Sequence, residues 1–151
     1  MTPRIRIQAE DFDLAAEVAA LAEGRPDTGA VVTFTGMCRD EGGRLAALEL
    51  EHYPGMAEAE VARVVAEAAG RWPLAGITVI HRFGRIRPGQ NIVLVATASA
   101  HRGAAFAAAE FLMDYLKTRA PFWKREHLAD GSTGPWVEAT RTDDAAADRW
   151  R

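Results

Sequence analysis

The chain has one cysteine, Cys38, in 151 residues. That excludes an internal disulfide and points to a reducing compartment. No apolar run approaches the roughly 20 residues that a bilayer-spanning helix needs. The opening stretch MTPRIRIQAEDF lacks the apolar region of a signal peptide. A cytoplasmic protein with no membrane partner is expected. An excess of positive charge is missing too: the formal net charge is −3, whereas a general nucleic-acid binder is usually basic, so no nucleic-acid partner is expected. Neither GxGxxG nor GxxxxGK[ST] occurs, which removes support for a nucleotide fold. The histidines, His52, His81, His101 and His127, have no HxxH-type spacing, and a lone cysteine makes no thiolate cluster. No metal and no cofactor are expected.

What is present is a soluble, globular composition, 48% hydrophobic and 26% charged, on a chain long enough to bury a core as one domain over residues 1–151. RIRIQAE (4–10) alternates as a strand does. DLAAEVAALAEG (13–24) puts Leu14, Val18 and Leu21 on one helical face and stops at Gly24. TGAVVTFTGMCRD (28–40) and LAALELEHY (45–53) read as strands joined by the turn-prone DEGGR, which predicts a hairpin with a mobile tip. Over 56–72 Val61, Val64, Val65, Ala68 and Trp72 share a helical face opposite Glu60, Arg63, Glu67 and Arg71. GITVIHRFG (76–84) and NIVLVATASA (91–100) are the most apolar strands, separated by RPGQ. A helix over 102–119 ends at Pro121, because the residue before a proline avoids the α region. PFWKREH is then extended, ADGSTGP a loop, WVEAT a short strand and 142–150 a short helix. Irregular interleaving of strands and helices indicates an α+β fold with a mixed or antiparallel sheet and flanking helices.

Chemistry concentrates in three stretches. In YLKTRAPFWKREH (115–127) Lys117 borders the stripe formed by Ala105, Ala109, Leu112 and Leu116, next to Phe106 and Met113. Strand alternation then puts Phe122, Lys124 and Glu126 on one face and Trp123, Arg125 and His127 on the other. Lys117 and Lys124 converge if the chain folds back at Ala120-Pro121. The bland alternative pairs Lys117 with Asp114 and Lys124 with Glu126. In SAHRGAAF (99–106) an apolar strand ends and His101-Arg102 opens a helix, which suits an anion. In FTGMCRD (34–40) Arg39 leaves a buried strand. Cys38 beside it has no nucleophile signature and reads as a small, partly buried thiol. Phe111 and Tyr115, with Ala104 and Ala108, form a second apolar face on the 102–119 helix, which predicts contact with another element or subunit.

FTGMCRD, LELEHYPGM, RWPL, VIHRFG, SAHR, MDYLKTRAPFWKRE and WVEA together resemble the large, catalytic subunit of molybdopterin synthase, from about residue 29 to residue 139. The resemblance implies an α/β-hammerhead-type fold and a sulfurtransferase of molybdenum-cofactor synthesis. Such an enzyme converts cyclic pyranopterin monophosphate to molybdopterin by installing two dithiolene sulfurs. It implies a small ubiquitin-like carrier subunit bearing a C-terminal Gly-Gly thiocarboxylate as partner, and a homodimer forming a 2:2 heterotetramer. By motif, Lys117 and Lys124 match the catalytic lysines, and Arg39, His101 and Arg102 match residues that hold the anionic pterin. Met37, Cys38, Arg125 and Glu126 fall in the same substrate-binding stretches. Relatives often have lysine and valine at the positions of Met37 and Cys38, and arginine where Thr140 precedes Arg141. The competing reading is a non-catalytic phosphate- or RNA-binding α+β module, with Phe122 and Trp123 as stacking platforms.

Overall fold

A computed structural model describes residues 1–119, 121–137 and 141–150, with the side chains of 141–144 left aside. Along the chain lie β1 (Arg4–Gln8), α1 (Leu14–Ala22), β2 (Ala30–Met37), β3 (Leu45–His52), α2 (Met56–Arg71), β4 (Gly76–Arg82), β5 (Gly84–Ile86), β6 (Asn91–Ser99), α3 (Arg102–Arg119), β7 (Phe122–Leu128) and α4 (Arg141–Asp148). The fold is α+β. One mixed sheet has the order β1-β4-β6-β2, and a second, antiparallel sheet has the order β5-β3-β7.

The two most apolar segments, β4 and β6, take the centre of the four-stranded sheet, where both faces are covered. On one face Ile77, Val79, Val93 and Val95 pack against Val61, Val64 and Val65 of α2 and Leu112 and Leu116 of α3. On the other, Leu21 of α1 packs against Ala96 and Ala98. Asp13 caps α1 by accepting from the Ala16 N–H at 3.1 Å. Cys38, Leu45, Leu50 and Ile86 form a smaller core under the three-stranded sheet. Among the described residues no helix is long and apolar enough to cross a membrane.

One expectation fails here. β2 and β3 do not form a hairpin. β2 pairs with β6 and β3 pairs with β5 and β7, so the turn between them passes the chain from one sheet to the other. Strand partners are chosen by burial and long-range register, and a turn-prone sequence specifies only that the chain reverses. The second apolar face of α3 meets the expectation of a contact with another element, and it does so within the chain. Phe111 and Tyr115 are buried, and Phe111 meets Trp72 and Trp150 edge-on at 5.4 and 5.6 Å. That face is internal core and is not a surface for a second copy.

Candidate active site

The path of β2 sets up the site. Its register shifts between Gly36 and Met37, and a Cβ on Gly36 would lie 2.7 Å from Cγ1 of Val93. The glycine lets the strand press onto β6 and then turn away, which carries Met37, Cys38 and Arg39 out of the sheet. Two backbone hydrogen bonds, Cys38 N–H to the Gln90 carbonyl and Gly89 N–H to the Cys38 carbonyl, pin the exit at 2.9 and 2.8 Å.

Across from this exit the chain leaves the last turn of α3 and returns as β7. Lys117 from the helix and Lys124 from the strand line one cavity of about 410 Å³, together with Met37, Cys38, Arg39, Arg125 and Glu126. The alternation expected for β7 holds. Phe122, Lys124 and Glu126 pair with His52, Leu50 and Leu48, and Trp123, Arg125 and His127 with Glu51, Glu49 and Ala47. Lys124 is fixed further by a two-way backbone bridge to Val137, at 3.0 and 2.7 Å.

The bland pairings are taken up elsewhere. The Asp114 carboxylate accepts from the Arg149 guanidinium at 2.9 Å and from the Trp150 indole. Glu126 accepts from Arg44 at 3.1 Å, and Glu41 from Arg39 at 3.3 Å. The carboxylates of Glu41 and Glu126 on the cavity wall are thus engaged by arginines. Cys38 is 4% exposed. Burial first, and the nearby charge of Glu41, push its thiol up despite a backbone hydrogen bond that lowers it, which makes it a poor nucleophile.

The aromatics of the motif have separate tasks. Phe122 stacks on His81 at 3.8 Å with the rings 15° from parallel, so its face is already taken and is closed to a nucleobase. Trp123 meets Tyr53 edge-on at 5.0 Å on the other face of the sheet. His81 donates through Nδ1 to the Arg82 carbonyl at 2.8 Å. Burial pushes its pKa down to about 4. The charges of Lys117 and His52 push the same way, against the raising effect of that hydrogen bond. The imidazole is therefore neutral and electrostatically coupled to Lys117.

His101 and Arg102 do not join this cavity. They are exposed at the start of α3. At about 1.5 Å of rise per residue, Arg102 lies roughly 22 Å along the helix axis from Lys117. The strand expected over WVEAT reaches Val137 as a bridge; Glu138, Ala139 and Thr140 lie outside the described residues.

Sequence reasoning missed three contributors. Glu41 lines the cavity from the loop after β2, as do Gly134, Pro135 and Val137 from the loop after β7. Glu49 of β3 holds Arg125 in place, accepting from its Nε at 3.1 Å and from Nε2 of His127 at 2.7 Å. Because Arg85 donates to Nδ1 of that histidine at 3.0 Å, the ring proton sits on Nε2. The His127 bond, ahead of those to Arg125, holds the Glu49 carboxyl below its usual range despite opposing desolvation. Only the period-two match of Glu49 with Arg125 across two strands carries this signal, and it needs the register to be read.

Comparisons with known proteins agree on one family. The family model described as MoaE protein matches residues 7–119. The chain is 70% identical to the molybdopterin synthase catalytic subunit of Mesorhizobium japonicum, covering 100% of this chain and 95% of that one. It is 66% identical to the protein of that name from Rhizobium meliloti, covering 97% and 94%. Among solved structures, the molybdopterin biosynthesis MoaE protein from Burkholderia ambifaria superposes with a TM-score of 0.85 at 53% identity, covering 99% and 98%. The chain belongs to the MoaE family, that of the molybdopterin synthase catalytic subunits.

Proposed function

We propose that the cavity between Lys117 and Lys124 is where this MoaE-family enzyme builds the dithiolene of molybdopterin. The supporting observation is that two lysines from different elements, separated by a proline, line one cavity with Arg39. The substrate is cyclic pyranopterin monophosphate. The sulfur donor is the C-terminal thiocarboxylate of a small ubiquitin-like carrier. The relatives from Mesorhizobium japonicum and Rhizobium meliloti are each named as a catalytic subunit, which fits an enzyme completed by a second kind of chain.

The chemistry needs no nucleophile from this protein. A carrier thiocarboxylate sulfur forms a C–S bond to a pterin side-chain carbon, and the oxygen on that carbon leaves, as the phosphate oxygen of the opened cyclic ester in one transfer and as water from the carbonyl in the other. Water then cleaves the bond between that sulfur and the carrier's acyl carbon, releasing the carrier as a carboxylate. A second carrier repeats the step. The lysines hold the anionic partners together, stabilise charge on the acyl oxygen and move protons. Arg39 and Arg125 supply further donors, and the raised thiol of Cys38 stands aside. The chain acts as one cytoplasmic catalytic-subunit domain over residues 1–151.

His101 and Arg102 enter this reading only through a second copy. If both grip the pterin phosphate, the helix length that separates them from Lys117 requires the homodimer to bring the start of one α3 to the cavity of its partner. Phe34 on the edge strand β2 and Phe106 on the first turns of α3 are 42% and 61% exposed, an apolar surface beside His101 and Arg102 that a second copy would cover. The complete assembly is then a 2:2 heterotetramer with the carrier.

The test is single turnover with thiocarboxylated carrier and cyclic pterin, read by mass detection of the dithiolene product. With cyclic pterin well below saturation, Lys117→Ala should be inactive and Arg102→Ala strongly impaired when each is assayed alone. Mixed after subunit exchange, they should regain activity, because one of the two sites in a mixed dimer has both residues intact. Wild-type-like turnover by Lys117→Ala would remove the cavity assignment. Failure of the mixture alone would remove the shared-site reading.

A further inference from the structure

A second cavity, of about 510 Å³, opens on the other face of the three-stranded sheet, toward the turn between β5 and β6. It is lined by Arg82, Arg85, Arg87, Gln90 and His127. Its remaining wall is Ala46 and Ala47, small side chains beside the register shift of β3, and they leave the space open. No role in sulfur transfer draws on these arginines.

The three guanidiniums are held without being neutralised. Arg82 donates to the backbone carbonyls of Ala9 and Asn91 at 3.1 and 2.8 Å. Arg85 donates to Nδ1 of His127 at 3.0 Å. Arg87 is engaged through its backbone alone: its N–H donates to the Gln90 side-chain oxygen at 2.9 Å, and its carbonyl accepts from the Gln90 N–H at 3.0 Å. Among the described residues, no carboxylate lies within ion-pair distance of any of the three; the nearby acids Glu49 and Glu126 are spent on Arg125, His127 and Arg44. Asp11 is close enough to feel the charge of Arg82 but is outside the cavity, bonded to Asn91 at 3.0 Å. Three positive charges with no ion-pair partner among the described residues therefore converge on a chain whose net charge is −3.

We propose that this cavity is a binding site for a small phosphate monoester, separate from the catalytic cavity. A carboxylate has two oxygens and is satisfied by one guanidinium fork. A phosphate dianion has three terminal oxygens and matches donors arriving from β4, β5 and the following turn. The volume exceeds that of a bare phosphate and leaves the ester's organic part against Ala46 and Ala47.

Calorimetric titration of the full-length protein with inorganic phosphate and with ribose 5-phosphate tests this. Ribose 5-phosphate should bind wild type and Lys124→Ala alike, and more tightly than inorganic phosphate does. Arg87→Ala should weaken it about tenfold or more, as loss of a charge-assisted contact does, and Arg87→Glu should abolish it. The Arg87 guanidinium makes no bond to the rest of the described chain, so both variants should melt like wild type. Unchanged binding in Arg87→Glu, or loss of all binding in Lys124→Ala, would overturn the second site. Inorganic phosphate binding as tightly as the ester would overturn the assignment of an ester.

Discussion

Replacing Lys117 with alanine should raise the pKa of His81. The ammonium of Lys117 is one of the charges that push this ring down, after burial itself, so its removal makes a proton on the imidazole less costly. The effect has a counterpart in stability. An ordinary histidine titrates at 6.5, and His81 does so at about 4. As pH falls below 6.5 the unfolded chain takes up a proton that the folded ring refuses, so folding loses stability until the native ring is protonated as well. At about 1.36 kcal/mol for each pH unit of that gap, the loss is at most about 3.4 kcal/mol. The direct assay is NMR titration of the His81 ring in wild type and in Lys117→Ala. The energetic assay compares urea unfolding of wild type and His81→Asn, which keeps a donor for the Arg82 carbonyl, at one protein concentration. The stability difference between the two should shrink on going from about pH 7 to about pH 4.5. A His81 midpoint above 6 would refute the burial argument. A midpoint that does not move in Lys117→Ala would show that the lysine is too remote or too well hydrated to act on the ring.

Lys117→Arg should convert substrate poorly while still binding the carrier, because a guanidinium keeps the charge but gives up no proton; near-normal single turnover would contradict a proton-handling role. Arg102→Ala should weaken binding of the cyclic pterin by about 1.5–3 kcal/mol and leave carrier affinity nearly unchanged, as measured by calorimetry with each partner separately. Cys38→Ala should retain conversion, and alkylation of Cys38 in wild type should need a pH above that of an exposed thiol, since burial raises its pKa; loss of conversion would make the thiol a participant. Phe111→Ala should cost about 3–5 kcal/mol in chemical denaturation whether the protein is concentrated or dilute, because the ring packs within its own chain.

The helices α2 and α3 were the most readable part of the sequence, whereas in α1 Leu14 of the expected face is exposed and Glu17 is buried with Leu21. The arc of Val61, Val64, Val65 and Ala68 is the buried face of α2, and Pro121 ends α3 at the residue that its geometry requires. Pairing was much less readable. DEGGR has the composition of a hairpin tip, yet its flanking strands enter different sheets, a choice made by residues far along the chain. β5 is only three residues long and was hidden in the tail of a longer apolar run. In the candidate site, Lys117, Lys124 and Arg39 were visible as charges beside apolar stripes and through likeness to a family. Glu41, Glu49 and the 134–137 loop were not, because their place depends on a bulge, a register and a bridge that local patterns do not encode.

The order in which the cavity's walls leave the ribosome has a consequence for synthesis. Arg39 emerges early, Lys117 and Lys124 late, and Val137, which clamps Lys124, later still. A nascent chain stalled after β6 but before this bridge holds every strand of the four-stranded sheet and lacks the segment that completes the cavity wall, so the cavity is among the last features of the fold to close.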